Sequence, residues 1–132
     1  MIVADSSAVL ALIAPDETIP DALGTAIRQN PLTVPSHFPS EIANGLWAML
    51  RRKRLKPAQL DLITDSLLSL IIEQETTSAE HLLRVVLPLA VENNLTVYDA
   101  AYLELAKRRQ LPFATLDDAL RKAARRARVQ LV

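Results

Sequence analysis

Apolar residues fall in short blocks along the chain, and their spacing predicts alternating strands and helices. Residues 1–4 read as a buried strand, closed off by Asp5-Ser6-Ser7. Residues 8–13 are apolar and helix-prone up to Pro15. Residues 16–29 read as a second helix with Pro20 near its start, 32–34 as a short strand and 35–39 as a loop. A clear helix is predicted over 41–54, where Ile42, Leu46, Met49 and Leu50 recur at helical spacing. Pro57 suits the first turn of a helix running to about residue 70, followed by a strand at 70–72. Ser78 opens a helix reaching about residue 92, which Pro88 must kink or break. Beyond the turn at Asn93-Asn94 come a helix over 98–109, a strand over 112–115, a helix over 118–128 and a last strand over 129–132.

Short apolar strands alternating with helices imply an α/β fold: a short parallel sheet flanked by helices on both faces, three layers in all. A length of 132 residues fits one domain, and no repeat, linker or low-complexity segment divides it. Half the residues are hydrophobic but only 4% are aromatic, so the core must be built from Leu, Ala, Val and Ile. Two glycines argue against a Gly-rich phosphate loop. The lack of cysteine removes disulfides, thiolate zinc sites and cysteine nucleophiles. The N-terminus has no basic segment of the signal-peptide kind, and no apolar run approaches the ~20 residues of a membrane span. A cytosolic protein is the simplest expectation.

Net charge is zero, yet thirteen of the fifteen cations lie in three short segments. These are Arg51, Arg52, Lys53, Arg54 and Lys56; Lys107, Arg108 and Arg109; and Arg121, Lys122, Arg125, Arg126 and Arg128. Such clusters engage a polyanion even on a neutral molecule. They serve equally as solvated helix ends, because cations complement a helix C-terminus. Arg51, Arg52, Lys53, Arg121, Lys122 and Arg125 are the candidates for contacts to the backbone of such a polyanion.

The acids carry the chemistry. Asp5 and Asp117 each follow a predicted strand and open a helix, while Asp99 and Glu41 lie in first helical turns. Ligands of open parallel sheets bind beyond the carboxyl ends of the strands, where Asp5 and Asp117 are expected. Each acid alone is also a good helix-start residue. Spacing alone does not show that they converge. His37 and His81 fall on different elements and are read as surface or loop residues, so a paired-histidine ribonuclease is disfavoured. Ser6 and Ser7 lack a His-Asp relay. Trp47 lies off the apolar stripe of its helix and is either core or an anchor for a partner.

Four segments, in order, resemble a known family. Met1-Ile2-Val3-Ala4-Asp5-Ser6-Ser7-Ala8 is similar to the opening of PIN domains, an apolar strand followed by Asp-x-Ser. Pro39-Ser40-Glu41-Ile42-Ala43-Asn44 resembles the family's segment with a Glu at a helix start. Tyr98-Asp99-Ala100-Ala101-Tyr102-Leu103-Glu104-Leu105-Ala106 resembles its D-A-x-Y-L-x-L-A helix, and Thr115-Leu116-Asp117-Asp118-Ala119-Leu120 its T-x-D-x-x-L segment. The resemblance extends over nearly the whole chain, at a length typical of VapC-type toxins. It implies a PIN-like fold and a metal-dependent endoribonuclease, the toxin of a toxin–antitoxin pair. It places Asp5, Glu41, Asp99 and Asp117 at a site for Mg²⁺ or Mn²⁺, with Ser7 and Thr115 supporting it and Asp117 fitting better than Asp118. It further implies water attack leaving a 5′-phosphate and a 3′-hydroxyl, a homodimer, and a cognate antitoxin. The antitoxin helix is expected in a groove between the helices at 16–29 and 41–54, with Trp47 as a contact. Two alternatives stand beside this reading: a binding module without turnover, and an RNA-processing nuclease that is not a toxin.

Overall fold

Four short strands, Ile2–Ala4 (β1), Leu32–Pro35 (β2), Ile72–Glu75 (β3) and Phe113–Ala114 (β4), form an all-parallel sheet in the order β3-β2-β1-β4. The computed structural model describes residues 1–132. The helices are Ser6–Ile13 (α1), Asp21–Gln29 (α2), Phe38–Arg51 (α3), Leu60–Leu68 (α4), Ala79–His81 (α5), Leu87–Asn93 (α6), Val97–Arg109 (α7) and Asp118–Arg126 (α8). A 3₁₀ turn, Pro57–Gln59, precedes α4, and a π-helical turn, Leu82–Val86, joins α5 to α6.

Strand order decides which helices share a face. The connections β1 to β2 and β2 to β3 step the same way across the sheet, whereas β3 to β4 steps back past β1. Parallel crossovers are right-handed almost without exception, so α1–α4 lie on one face and α5–α7 on the other. The direction of travel reverses beside β1 and β4, which opens a crevice at their carboxyl ends. The core between the layers is aliphatic, as composition requires: Val3, Val9, Ile27, Leu32, Val34, Leu103 and Leu120 are fully buried, with Tyr102 and Phe113 the bulkiest members.

Some boundaries differ from the sequence expectation for physical reasons. The second helix starts only at Asp21, because a residue before proline avoids the helical region and Pro20 sits at the N-cap. Asp16 and Glu17 remain outside it and bind Arg54, with Asp16 Oδ2 2.8 Å from Arg54 Nε. The third helix starts earlier than expected, at Phe38, with Pro39 tolerated in its first turn. The third strand is displaced from 70–72 to Ile72–Glu75. Its Glu73, Gln74 and Glu75 carry no apolar signal; backbone pairing to β2 makes them a strand, and Arg108 and Arg109 bind the two glutamates. Such a short, charged edge resists pairing with foreign strands. Pro88 neither ends its helix nor kinks it alone. It lacks the N–H for a bond to the Arg84 carbonyl, and the turn before it widens so that Leu87 N–H reaches back to Leu82 O. The expected final strand is reduced to one bridge, Leu131 against Phe113.

Candidate active site

Asp5 stands at the end of β1 as the N-cap of α1 and is buried. Its Oδ1 accepts from Ala8 N–H at 3.0 Å and from Ser7 Oγ at 2.8 Å. Its Oδ2 accepts from Thr115 Oγ1 at 2.5 Å, which links the carboxyl ends of β1 and β4 across the crevice. Thr115 Oγ1 in turn accepts from Asp117 N–H at 3.1 Å, and Arg121 donates to the Thr115 carbonyl at 3.1 Å. Asp117 caps α8 through Leu120 N–H at 2.8 Å, while Asp118 is exposed. Ser7 and Thr115 therefore hold the Asp5 carboxylate from both sides.

Asp99 is half-buried in the first turn of α7, but it does not cap that helix. Thr96 does, accepting from Asp99 N–H at 3.1 Å. Glu41 lies in the first turn of α3, where Tyr102 OH of α7 donates to its Oε1 at 2.6 Å. His37 Nε2 lies 3.5 Å from the same Oε1. The His37 ring meets the edges of Tyr98 and Tyr102, each 5.4 Å away between centroids. It also bonds the Tyr98 carbonyl through Nε2 at 3.1 Å.

Burial pushes the Asp5 carboxyl above the ordinary carboxylate range; its three hydrogen bonds oppose this, and the charge of Asp99 adds to it. Burial also raises Asp99, reinforced by the negative charges of Asp117 and Glu41. Burial raises the Tyr102 hydroxyl, and its bond to the Glu41 carboxylate raises it further, so it stays a neutral donor. Asp99 thus feels the charges of Asp117 and Glu41, and Asp5 feels that of Asp99. No three of the acidic and histidine side chains close on one point as they stand. The donors are nevertheless hard oxygens, the kind Mg²⁺ and Mn²⁺ prefer, and an ion among them must relieve this mutual repulsion.

Sequence reasoning missed Tyr102 and His37. Tyr102 was readable: it lies three residues after Asp99, hence on the same helix face. His37 precedes α3 just past the end of β2, and strand-end logic alone points to it. It lies in the turn between β2 and α3, a loop position as expected, with its ring between two tyrosines beside Glu41. His81 is a different case, bound 2.8 Å from the buried Glu104.

The cationic candidates do not share one place. Arg121 lies beside the crevice through its bond to Thr115, on the helix that carries Lys122 and Arg125. Arg51, Arg52 and Lys53 are exposed at the opposite end of α3 from Glu41, about 15 Å along the helix axis. Arg54, Arg108 and Arg109 are engaged in ion pairs. Trp47 is not core: it is 57% exposed, with the Arg51 guanidinium over its ring at 5.9 Å. The apolar groove on α3 is shared with α4 rather than with α2, and Phe38, Ile42, Leu46, Leu67 and Leu70 line it.

The chain is 30% identical to Ribonuclease VapC3 of Pyrobaculum aerophilum over 116 residues, 88% of each chain. The crystal structure of PAE2754 from Pyrobaculum aerophilum superposes with a TM-score of 0.69 at 28% identity, covering 92% of this chain and 84% of that one. Residues 2–126 match the PIN domain. A match of that extent, on an all-parallel sheet flanked by helices, means that this chain belongs to the PIN-domain family.

Proposed function

We propose that the protein is a metal-dependent endoribonuclease, the toxin of a toxin–antitoxin pair, with Asp5, Glu41, Asp99 and Asp117 holding Mg²⁺ or Mn²⁺. The observation that carries this reading is that half-buried Asp99, which leaves the capping of α7 to Thr96, lies near enough to Asp117 and Glu41 to feel both negative charges. The likeness to a protein named Ribonuclease VapC3 supports the substrate class.

In this reading a cation held by these acids would supply the positive charge that lets a phosphodiester approach them and would make a bound water more acidic. Asp5, clamped by Ser7, Thr115 and the Ala8 amide, is the fixed member of the set. Tyr102 fixes Glu41, leaving that carboxylate's second oxygen for the site. Asp99 and Asp117 complete it from the opposite helices. Attack by water leaves a 5′-phosphate and a 3′-hydroxyl. Arg121, Lys122 and Arg125 hold the RNA backbone next to the crevice, and Arg51, Arg52 and Lys53 hold it further out. The partners in this reading are a cognate antitoxin and a second copy of the chain. The reading places this action on RNA in the cytoplasm; no helix is long and apolar enough to cross a membrane.

The experiment is cleavage of a single-stranded RNA by purified protein freed of any antitoxin. Cutting is expected with Mg²⁺ or Mn²⁺ and is expected to stop in EDTA. Cleavage that persists in excess EDTA overturns the metal mechanism. Binding with no cleavage under any divalent cation favours the non-catalytic module instead.

A further inference from the structure

We propose that Tyr98 is a stacking platform for the nucleobase adjoining the scissile phosphate of a single-stranded RNA, with His37 as the residue that positions its ring; this rests on the ribonuclease reading above. The chain holds only five aromatic residues, two Tyr, two Phe and one Trp. Both phenylalanines are buried in the core, and Trp47 stands well along α3. Both tyrosines lie at the acidic crevice, and they differ sharply. Tyr102 is fully buried and tied to Glu41, whereas Tyr98 is 62% exposed directly beside Asp99.

An exposed tyrosine contributes little to folding, yet this one is held. The His37 ring meets it edge-on at 5.4 Å and 71°, and His37 is braced on its other side by Tyr102 at 5.4 Å and 81°. The His37 Nε2 bond to the Tyr98 carbonyl fixes the same residue through its backbone. The three rings form a ladder from the buried core to solvent, ending in an open aromatic ring. That ring lies one imidazole away from Glu41. A protein anchor is ordinarily set in an apolar surround. Here the ring rests on His37, with Glu41 on the far side of that imidazole and Asp99 next in the helix, so the matching ligand brings a flat ring together with a charge that a cation can bridge to acids. A nucleotide within an RNA strand meets both demands. Stacking reads the π-face of any base, so Tyr98 contributes affinity and register rather than a strict sequence choice.

The test uses an RNA oligonucleotide with one mapped cut, with and without an abasic residue next to that cut. Tyr98→Ala is expected to raise KM by about 5- to 140-fold, the equivalent of the about 1–3 kcal/mol that a stacked base is worth. Its kcat should change much less, and Tyr98→Phe should behave as wild type. The abasic residue should weaken wild type by a similar factor and Tyr98→Ala hardly at all, a non-additivity that a purely structural role does not produce. In the non-cleaving Asp99→Asn background, fluorescence anisotropy should show the same loss of RNA affinity on adding Tyr98→Ala. Wild type that fails to cut RNA overturns the ribonuclease reading and this inference together. Wild type that cuts, with an unchanged KM in Tyr98→Ala or with additive losses from the mutation and the abasic residue, overturns this inference alone.

Discussion

At the scale of single residues, Asp99 separates a site role from a helix-start role by the sign of its effect. As a first-turn acid it favours α7 through the helix dipole, and Asp99→Asn then lowers stability by ~0.3–1 kcal/mol. As a carboxylate raised by burial and by Asp117 and Glu41, it opposes folding at neutral pH without metal. A folded-state carboxyl that holds its proton more tightly than the ordinary value of 3.8 stabilises the fold fully below that value. The contribution is lost as pH rises through the folded value, and Asp5 acts in the same sense. We therefore expect Asp99→Asn to be the more stable protein in EDTA at pH 7, with the gap closing below pH 4. The ordinary Asp value of 3.8 sets that limit. Because Asp99 is only half-buried and water screens the repulsion, the gain is at most about 1 kcal/mol, a Tm rise of about 2–5 °C. The variant should also lose cleavage and most of the Tm increase that Mn²⁺ gives, since a ligand of the folded state stabilises by mass action. Thermal unfolding of both proteins in EDTA and in Mn²⁺ decides it. A mutant less stable in EDTA with an unchanged Mn²⁺ response removes Asp99 from the metal set.

At the scale of elements, the seat of Glu41 depends on how α3 lies against α1. Gly45 allows their approach: a Cβ there falls 2.4 Å from Leu10 Cδ1. Gly to Ala in a helix ordinarily gains ~1 kcal/mol. Here the overlap forces Leu10 out of its place, and a net loss of about 1–2 kcal/mol is expected for Gly45→Ala. Leu10→Ala should cost less in the Gly45→Ala background than in wild type, because the first substitution has already displaced that side chain. Denaturant titration of the four proteins measures the cycle. A Gly45→Ala protein more stable than wild type refutes the tight packing.

At the scale of the whole molecule, the neutral charge conceals two cationic regions at different distances from the acids. One lies on α8 beside the crevice; the other lies about 15 Å from Glu41 at the far end of α3. Each neutralised phosphate releases counterions, so the salt dependence of binding counts contacts. Replacing Arg121, Lys122 and Arg125 by Gln should flatten the salt slope for short and long oligonucleotides alike. Replacing Arg51, Arg52 and Lys53 by Gln should flatten it only for an RNA long enough to reach the end of α3. Binding of Asp99→Asn carriers to two RNA lengths across a salt series gives both slopes. Unchanged slopes for both lengths assign the α3 cluster to solvation alone.

The sequence by itself determined what neighbours along the chain can encode. Apolar blocks marked β1, β2 and β4, helical spacing marked α3, and Asp5 and Asp117 announced themselves as acids between a strand and a helix. These signals are local: a cap, a proline or a periodicity acts within a few residues. The tertiary structure alone decided what joins distant segments. Thr115 meets Asp5 across 110 residues, and Tyr102 meets Glu41 across 61, because strand order sets β4 beside β1 and two crossovers bring the N-terminal ends of α3 and α7 to the carboxyl end of the sheet. His37 acquires its place between two tyrosines in the same way. β3 becomes a strand through its pairing with β2 and its arginine partners, not through its own residues. The groove of α3 falls to α4 rather than α2 because side-by-side packing follows the sheet, and no local pattern in the chain records that choice.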